Sequence, residues 1–153
     1  MRSKRKLLIE QLDQKLKPFL KTRVVIVPER GWINTIRTTL NMTLAQLGAK
    51  LTITRQGVKR IEESEGNGTI TLNSLKEVAH ALDLKLVYAL VPKNGTIDDL
   101  IAAKAEKLAQ KIVLRTNQNM KLEGQGIGDD KISKTIRDLA QEIKREVRRS
   151  LWD

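Results

Sequence analysis

Thr43-Leu44-Ala45-Gln46-Leu47-Gly48-Ala49-Lys50-Leu51-Thr52-Ile53-Thr54-Arg55-Gln56-Gly57-Val58-Lys59-Arg60-Ile61-Glu62 is the stretch whose reading decides the fold. Thr43 with Gln46 three residues on is a capping-box pattern, in which each side chain satisfies a backbone N–H that the first helical turn leaves free. Leu44, Leu47 and Leu51 then mark one buried face. Thr52-Ile53-Thr54 breaks the helix, and Thr54 caps a second one running to about Ser64 with Val58 and Ile61 inward. The register Leu47, Ile53, Thr54, Val58, Ile61 locks two short helices near right angles across a tight turn. Arg55, Gln56, Lys59 and Arg60 are left to face outward: four hydrogen-bond donors with no acid among them.

Working outward, Ile33, Ile36, Arg37 and Leu40 define a helix stopped near Asn41. Beyond the Gly66-Asn67-Gly68 loop, Thr71 caps a helix whose Leu72, Leu75, Val78, Ala79 and Leu82 face the core. Two segments read as strands: Val24–Val27, closed by Pro28, and Lys85–Val91, closed by Pro92 and the Asn94-Gly95 turn. A lone pair of strands needs a partner, so they should pair with each other or with a second copy of the chain. Ahead of them, Leu8, Leu12, Leu16 and Phe19 form a helical stripe that Pro18 interrupts, preceded by the basic arm Arg2, Lys4, Arg5 and Lys6. Thr96 caps a long helix to about Asn117, with Asp98 and Asp99 on its positive end and Leu100, Ile101, Leu108, Ile112 and Val113 as its apolar side. After Gly124-Gln125-Gly126-Ile127-Gly128, a last helix from Asp129 carries Ile132, Ile136, Leu139, Ile143 and Val147, close to a heptad seam that needs a partner surface. The expectation is a mainly α fold with short β-strands. A basic helical arm and strand occupy 1–29, a helix-turn-helix DNA-binding core 30–92 and a C-terminal helical tail, expected to serve assembly or partner binding, 93–153.

The 153 residues include 29 Lys and Arg against 18 Asp and Glu, a net charge of +11 that suits a polyanionic partner. Residues 1–30 carry +6, 31–95 carry +3 and the remaining 58 only +2, so phosphate contacts are expected in the first two-thirds. A single Phe, a single Tyr and two Trp argue against an RNA-binding sheet with stacked aromatics. The absence of Cys excludes disulfides, thiol catalysis and thiolate metal sites, and suits a reducing cytoplasm. No apolar run approaches a membrane span, and Leu7-Leu8-Ile9 is too short for a secretory signal; a cytoplasmic, nucleoid-associated protein with no membrane partner is the expectation.

Enzyme readings find little. His80 is the only histidine and reads as a helix-surface residue. Asp98-Asp99 and Asp129-Asp130 read as helix starts lacking the companion ligands of a metal site. Gly124, Gly126 and Gly128 have neither a preceding strand nor a phosphate-binding helix. No catalytic residue, metal or cofactor is expected. What remains is the donor-rich outward face: Arg55, Gln56, Lys59 and Arg60 suit recognition of a DNA groove, with the cap residues Thr43 and Thr54 as candidates for phosphate contact.

Thr43 to Leu82 resembles the lambda-repressor-like regulators, with Glu62 where that family has its helix-closing Glu. Aligning the reading helix places Arg55, Gln56 and Arg60 on the family's base-facing positions and Lys59 nearer the phosphates. Leu44 departs from the family's phosphate-donating Gln, and Thr52 from its usual Gly before the turn. Ala81-Leu82-Asp83-Leu84-Lys85-Leu86-Val87-Tyr88 looks like the antitoxins of HipA-type toxins. A longer resemblance is to the family called mobile mystery protein A, through Arg30-Gly31-Trp32-Ile33, Gly68-Thr69-Ile70-Thr71-Leu72, Val87-Tyr88-Ala89-Leu90-Val91-Pro92 and Leu151-Trp152-Asp153. That resemblance implies an autoregulatory antitoxin: a homodimeric, sequence-specific transcriptional regulator binding double-stranded DNA, with a Fic-domain toxin encoded alongside. The alternative is a toxin-neutralising interaction protein whose DNA binding is secondary. The inhibitory motif that blocks Fic active sites, Ser or Thr four residues before Glu and then Gly or Asn, is not found: Glu65-Gly66 has Ile61 at that place and Glu123-Gly124 has Asn119.

Overall fold

A computed structural model describes residues 2–122 and 128–153, with side chains from Lys4 to Asn119 and from Gly128 onward. Its elements are α1 (Arg2–Leu16), a 3-10 helix (Lys17–Val24), α2 (Trp32–Thr39), α3 (Leu44–Leu51), α4 (Arg55–Asn67), α5 (Leu72–Ala81), α6 (Ile97–Leu122), α7 (Asp129–Glu146) and a final 3-10 helix (Arg149–Trp152). They fall into two compact units: Val24–Tyr88, and Met1–Arg23 together with Ala89–Asp153. Residues 123–127, which hold Glu123-Gly124 and most of the glycine-rich connector, lie outside the described residues.

The expected β-strands are absent among the described residues; the fold is mainly α without them. Val24 closes the first 3-10 helix, Val25–Val27 and Lys85–Val91 run in irregular backbone, and among the described residues no backbone hydrogen bond ties either stretch to another segment. β-Branched composition favours extended backbone locally, but a strand exists only through a ladder, and pairing is a long-range property that composition does not encode. Val24, Ile26, Val87 and Leu90 are left 84%, 88%, 66% and 92% exposed.

In the Val24–Tyr88 unit, Ile33, Leu47, Val58 and Val78 are buried, one from each of α2 to α5. Leu44, Leu51, Ile61, Ile70, Leu75 and Leu82 pack around them. Leu72, expected inside, is exposed, and so is Leu40. Leu40 is the cap residue after α2, where Asn41 turns the chain with φ 54°, and Leu72 opens α5, so each sits at the edge of its helical period. The start of α2 is satisfied from a distance: Trp32 N–H and Ile33 N–H donate to Glu65 Oε2 and Oε1 at 2.9 and 2.8 Å. Gly31 makes room with φ +88°, since a Cβ there would lie 2.6 Å from the Glu65 carboxyl carbon. A left-handed backbone beside a packed side chain leaves only glycine.

The other unit is built on α6. Ile101, Ala105 and Ala109 recur at four-residue steps and are buried with Ile143 of α7 and Leu151 of the last 3-10 helix; Ile9 of α1 packs against them. Alanines at two consecutive turns let α7 approach closely, and Ile136, Leu139, Ala140 and Val147 cover the seam. The heptad-like face that the sequence left wanting a partner thus finds it in α6 of the same chain. Leu8 and Leu12 of the expected α1 stripe are 47% and 42% exposed, whereas Ile9 faces inward. At the start of α6, Thr96 and Asp99 form a reciprocal pair, and the Asp13 carboxylate accepts from Ile97 N–H and Asp98 N–H at 2.8 and 3.2 Å. The Thr96 bonds hold the Asp99 carboxyl below the usual carboxylate range, chiefly through the Thr96 backbone N–H and then its hydroxyl.

Candidate nucleic-acid interface

The turn between α3 and α4 sets the geometry. Thr43 Oγ1 accepts from Gln46 N–H at 3.1 Å while Gln46 Oε1 accepts from Thr43 N–H at 2.8 Å, completing the capping box. α3 ends at Thr52, whose φ 58° and ψ 42° are left-handed, and Ile53 N–H then donates to Gly48 O at 2.9 Å. Left-handed backbone at a β-branched residue costs roughly 1–2 kcal/mol, and Gly would be the relaxed choice. The close approach is made at Gly48 instead: a Cβ there would stand 2.7 Å from Ile53 O. Gly48 was not among the residues singled out from the sequence, although a lone glycine within a helical pattern is a signal of close packing.

Thr54 Oγ1 accepts from Gly57 N–H at 3.1 Å and caps α4. Both cap hydroxyls accept from backbone, so each keeps its proton to donate outward, where a phosphate oxygen could take it. Thr43 at the start of α3 and Thr54 at the start of α4 are both exposed.

Val58 and Glu62 are the buried residues of α4, with Ile61 beside them, and at 3.6 residues per turn this turns Gln56, Lys59 and Arg60 away from the core, with Arg55, in the first turn, at the edge of that outward arc. All four are exposed, and among the described residues no ion pair engages Arg55, Lys59 or Arg60. The same arc carries Glu63, exposed one turn beyond Lys59, so the face is not free of acid over its whole length. The cationic part is the N-terminal turn and a half. No acidic residue occupies the first turn of α3, α4 or α5, and of these three α4 alone places a cation, Arg55, at its first position. A helix start is electropositive, so Arg55 there is unfavourable until an anion or polar acceptor faces it.

Beneath this face lies a charge network. Glu62 accepts from Asn34 Nδ2 at 3.0 Å and from Arg37 Nη2 at 3.2 Å, with a further short bond from Arg37 Nε, and Arg37 Nη1 donates to Met42 O at 2.8 Å. The two charged side chains are 12% and 8% exposed. The Glu62 hydrogen bond raises the Arg37 guanidinium further above its ordinary value, so the arginine carries its charge throughout the native range. The pair fastens α4 to α2 and fixes which side of α4 looks outward.

The other unit offers a cleft of about 640 Å³ that includes Asp13, Asp98 and Lys144. These three are engaged in structure, Asp13 with the start of α6 and Lys144 with Asp98 at 2.9 Å. Among the described residues no group of three metal-ligating side chains comes together, and no helix is long and apolar enough to cross a membrane. No family model, curated protein or solved structure matches this chain.

Proposed function

We propose that the Val24–Tyr88 unit is a sequence-specific DNA-binding module of the helix-turn-helix class and that the protein is a transcriptional regulator. The observation that carries this reading is the exposed face of α4: Arg55, Gln56, Lys59 and Arg60, unpaired, at the start of a helix that α3 props at its base. In this reading α4 lies in the major groove. Arg55 and Arg60 donate to guanine edges, Gln56 pairs with an adenine edge, and Thr43, Thr54 and Lys59 hold phosphates. Glu63 sets the far limit of the face, since a carboxylate there repels the strand.

The protein acts as a homodimer presenting two copies of α4 about 34 Å apart on a pseudo-palindromic site. The exposed apolar run Val24–Val27 and the exposed Val87 and Leu90 support self-association, because burying such side chains is worth roughly 1.5–3 kcal/mol each. The resemblance to mobile mystery protein A supports an autoregulatory antitoxin role, with a cytoplasmic, nucleoid-associated location and a Fic-domain toxin as partner.

Selection of bound duplexes from a randomised pool, followed by titration of single-base variants at several salt concentrations, tests the assignment. Arg55→Ala, Gln56→Ala and Arg60→Ala each relax preference at one or two base positions, by roughly 1–3 kcal/mol per lost contact. Lys59→Ala weakens all sequences alike and makes the salt slope shallower by about one. Retention of affinity and base preference in both arginine variants refutes the reading face.

A further inference from the structure

Charge along the chain hides a second basic surface. Residues 96–153 carry a net charge of only +2, yet α6 segregates its cations. Lys104, Lys107, Lys111 and Arg115 follow one another at three- and four-residue steps and are all exposed. At about 100° per residue they occupy an arc of roughly 80° on the helix surface. Its acidic residues, Asp98, Asp99 and Glu106, fall on other arcs, and among the described residues no ion pair engages any of the four cations. The equivalent outward arc of α7 differs: Asp138 and Glu142 sit among Lys131, Lys134 and Arg145, an alternation of signs usual for a solvated face. Of these two helices, only α6 carries an uninterrupted single-sign row.

We propose that this row of α6 binds the phosphodiester backbone of duplex DNA, as a phosphate-holding surface separate from the α4 face. From Lys104 to Arg115 the helix rises about 16 Å. Over that distance one strand of B-DNA passes about five phosphates while winding about half a turn, so roughly two to four of them face a straight row of cations. A membrane surface fits less well: Ile101, Ala105, Ala109 and Val113 of α6 are buried in their own unit, and the exposed Leu100 and Leu114 beside the row stand at its two ends and make no continuous apolar face to enter lipid. Lysine, three times in four, is suited to point-charge neutralisation and carries no base preference. The surface therefore adds affinity and salt dependence without specificity. Because the row belongs to α6 alone, its phosphate binding does not depend on the role given to α4.

The test uses the full chain and its Lys104→Gln/Lys107→Gln/Lys111→Gln/Arg115→Gln variant. A second variant, Lys131→Gln/Lys134→Gln/Arg137→Gln/Arg145→Gln, removes the same charge from α7. Glutamine is a good helix former at exposed positions, and circular dichroism checks that the fold is kept. Binding to a mixed-sequence 30-base-pair duplex is followed by fluorescence anisotropy from 50 to 200 mM salt. The α6 variant should lower the magnitude of the slope of log K against log salt by about 2–4, at about 0.9 per phosphate, while the α7 variant lowers it by less than one. Preference among single-base operator variants should be unchanged in the α6 variant. A slope loss no larger than that of the α7 variant overturns the proposal, as does an unchanged duplex slope with loss of binding to phosphatidylserine vesicles. If Arg55→Ala and Arg60→Ala leave base preference intact while the α6 slope effect persists, the α4 reading fails and this one stands.

Discussion

Removing the Glu62 carboxylate should unfold the Val24–Tyr88 unit at markedly lower temperature. Glu62 holds three donors, one from Asn34 and two from Arg37, at 8% exposure. In Glu62→Ala the Arg37 guanidinium stays in place with only Met42 O as an acceptor. Breaking a buried pair by deleting one partner costs about 3–5 kcal/mol, and the 12% exposure of Arg37 argues for the lower end, about 3 kcal/mol. A unit of this size shifts by about 4–8 °C per kcal/mol, so the midpoint should fall by at least about 12 °C. The two tryptophans allow a clean assay, because Trp32 reports on this unit and Trp152 on the other. In a Trp152→Phe background, fluorescence during urea and thermal unfolding follows Trp32 alone. Replacing both partners, Arg37→Met with Glu62→Leu, should recover most of the loss and come within about 1 kcal/mol of the parent, since no charge is then left buried. A loss below about 1 kcal/mol in Glu62→Ala, or a double variant no more stable than the single one, would refute the assigned role of the pair.

Other expectations concern the turn, the start of α6 and assembly. Gly48→Ala should cost about 1–3 kcal/mol, because the new methyl group must displace the Ile53 carbonyl, and it should weaken DNA binding in parallel; urea midpoints and anisotropy report both. Thr96→Ala keeps the backbone N–H, the larger cause, and removes only the hydroxyl, so the Asp99 carboxyl should move part of the way up toward the ordinary carboxylate range, read by carbon-detected NMR titration. The sign follows from a depressed folded-state value: the Asp99 contribution is present above the unfolded pKa and is lost as pH falls through the lower folded one, so Thr96→Ala should reduce the acid sensitivity of that unit. An Asp99 titration unchanged by the substitution would remove the hydroxyl as a cause and leave the backbone N–H alone. Sedimentation should show a dimer at micromolar concentration, and Val24→Lys/Ile26→Lys should shift it toward monomer; a monomeric parent, free and on DNA, would count against the two-fold reading.

Local chemistry was legible before any coordinates. The reciprocal Thr43–Gln46 bonds and the Thr54 and Thr71 caps join partners three residues apart, so a short stretch of chain carries each of them whole. The inward Leu47, Val58 and Val78 follow from helical period, and so does the outward set Arg55, Gln56, Lys59 and Arg60. What escaped depends on groups distant in the chain. Glu65 capping α2 and Asp13 capping α6 reach across 32 and 84 residues, and no spacing rule links them. Val24–Val27 and Lys85–Val91 have strand composition but no ladder, because pairing is decided by which backbone lies alongside. The α7 seam was readable as apolar; that α6 covers it through Ala105 and Ala109 is a matter of packing. Charge shows the same division. Net charge by segment spoke against a basic surface on the tail, and folding Lys104 to Arg115 into one helix placed four cations on one side, since a helix sorts residues by angle and a running sum does not.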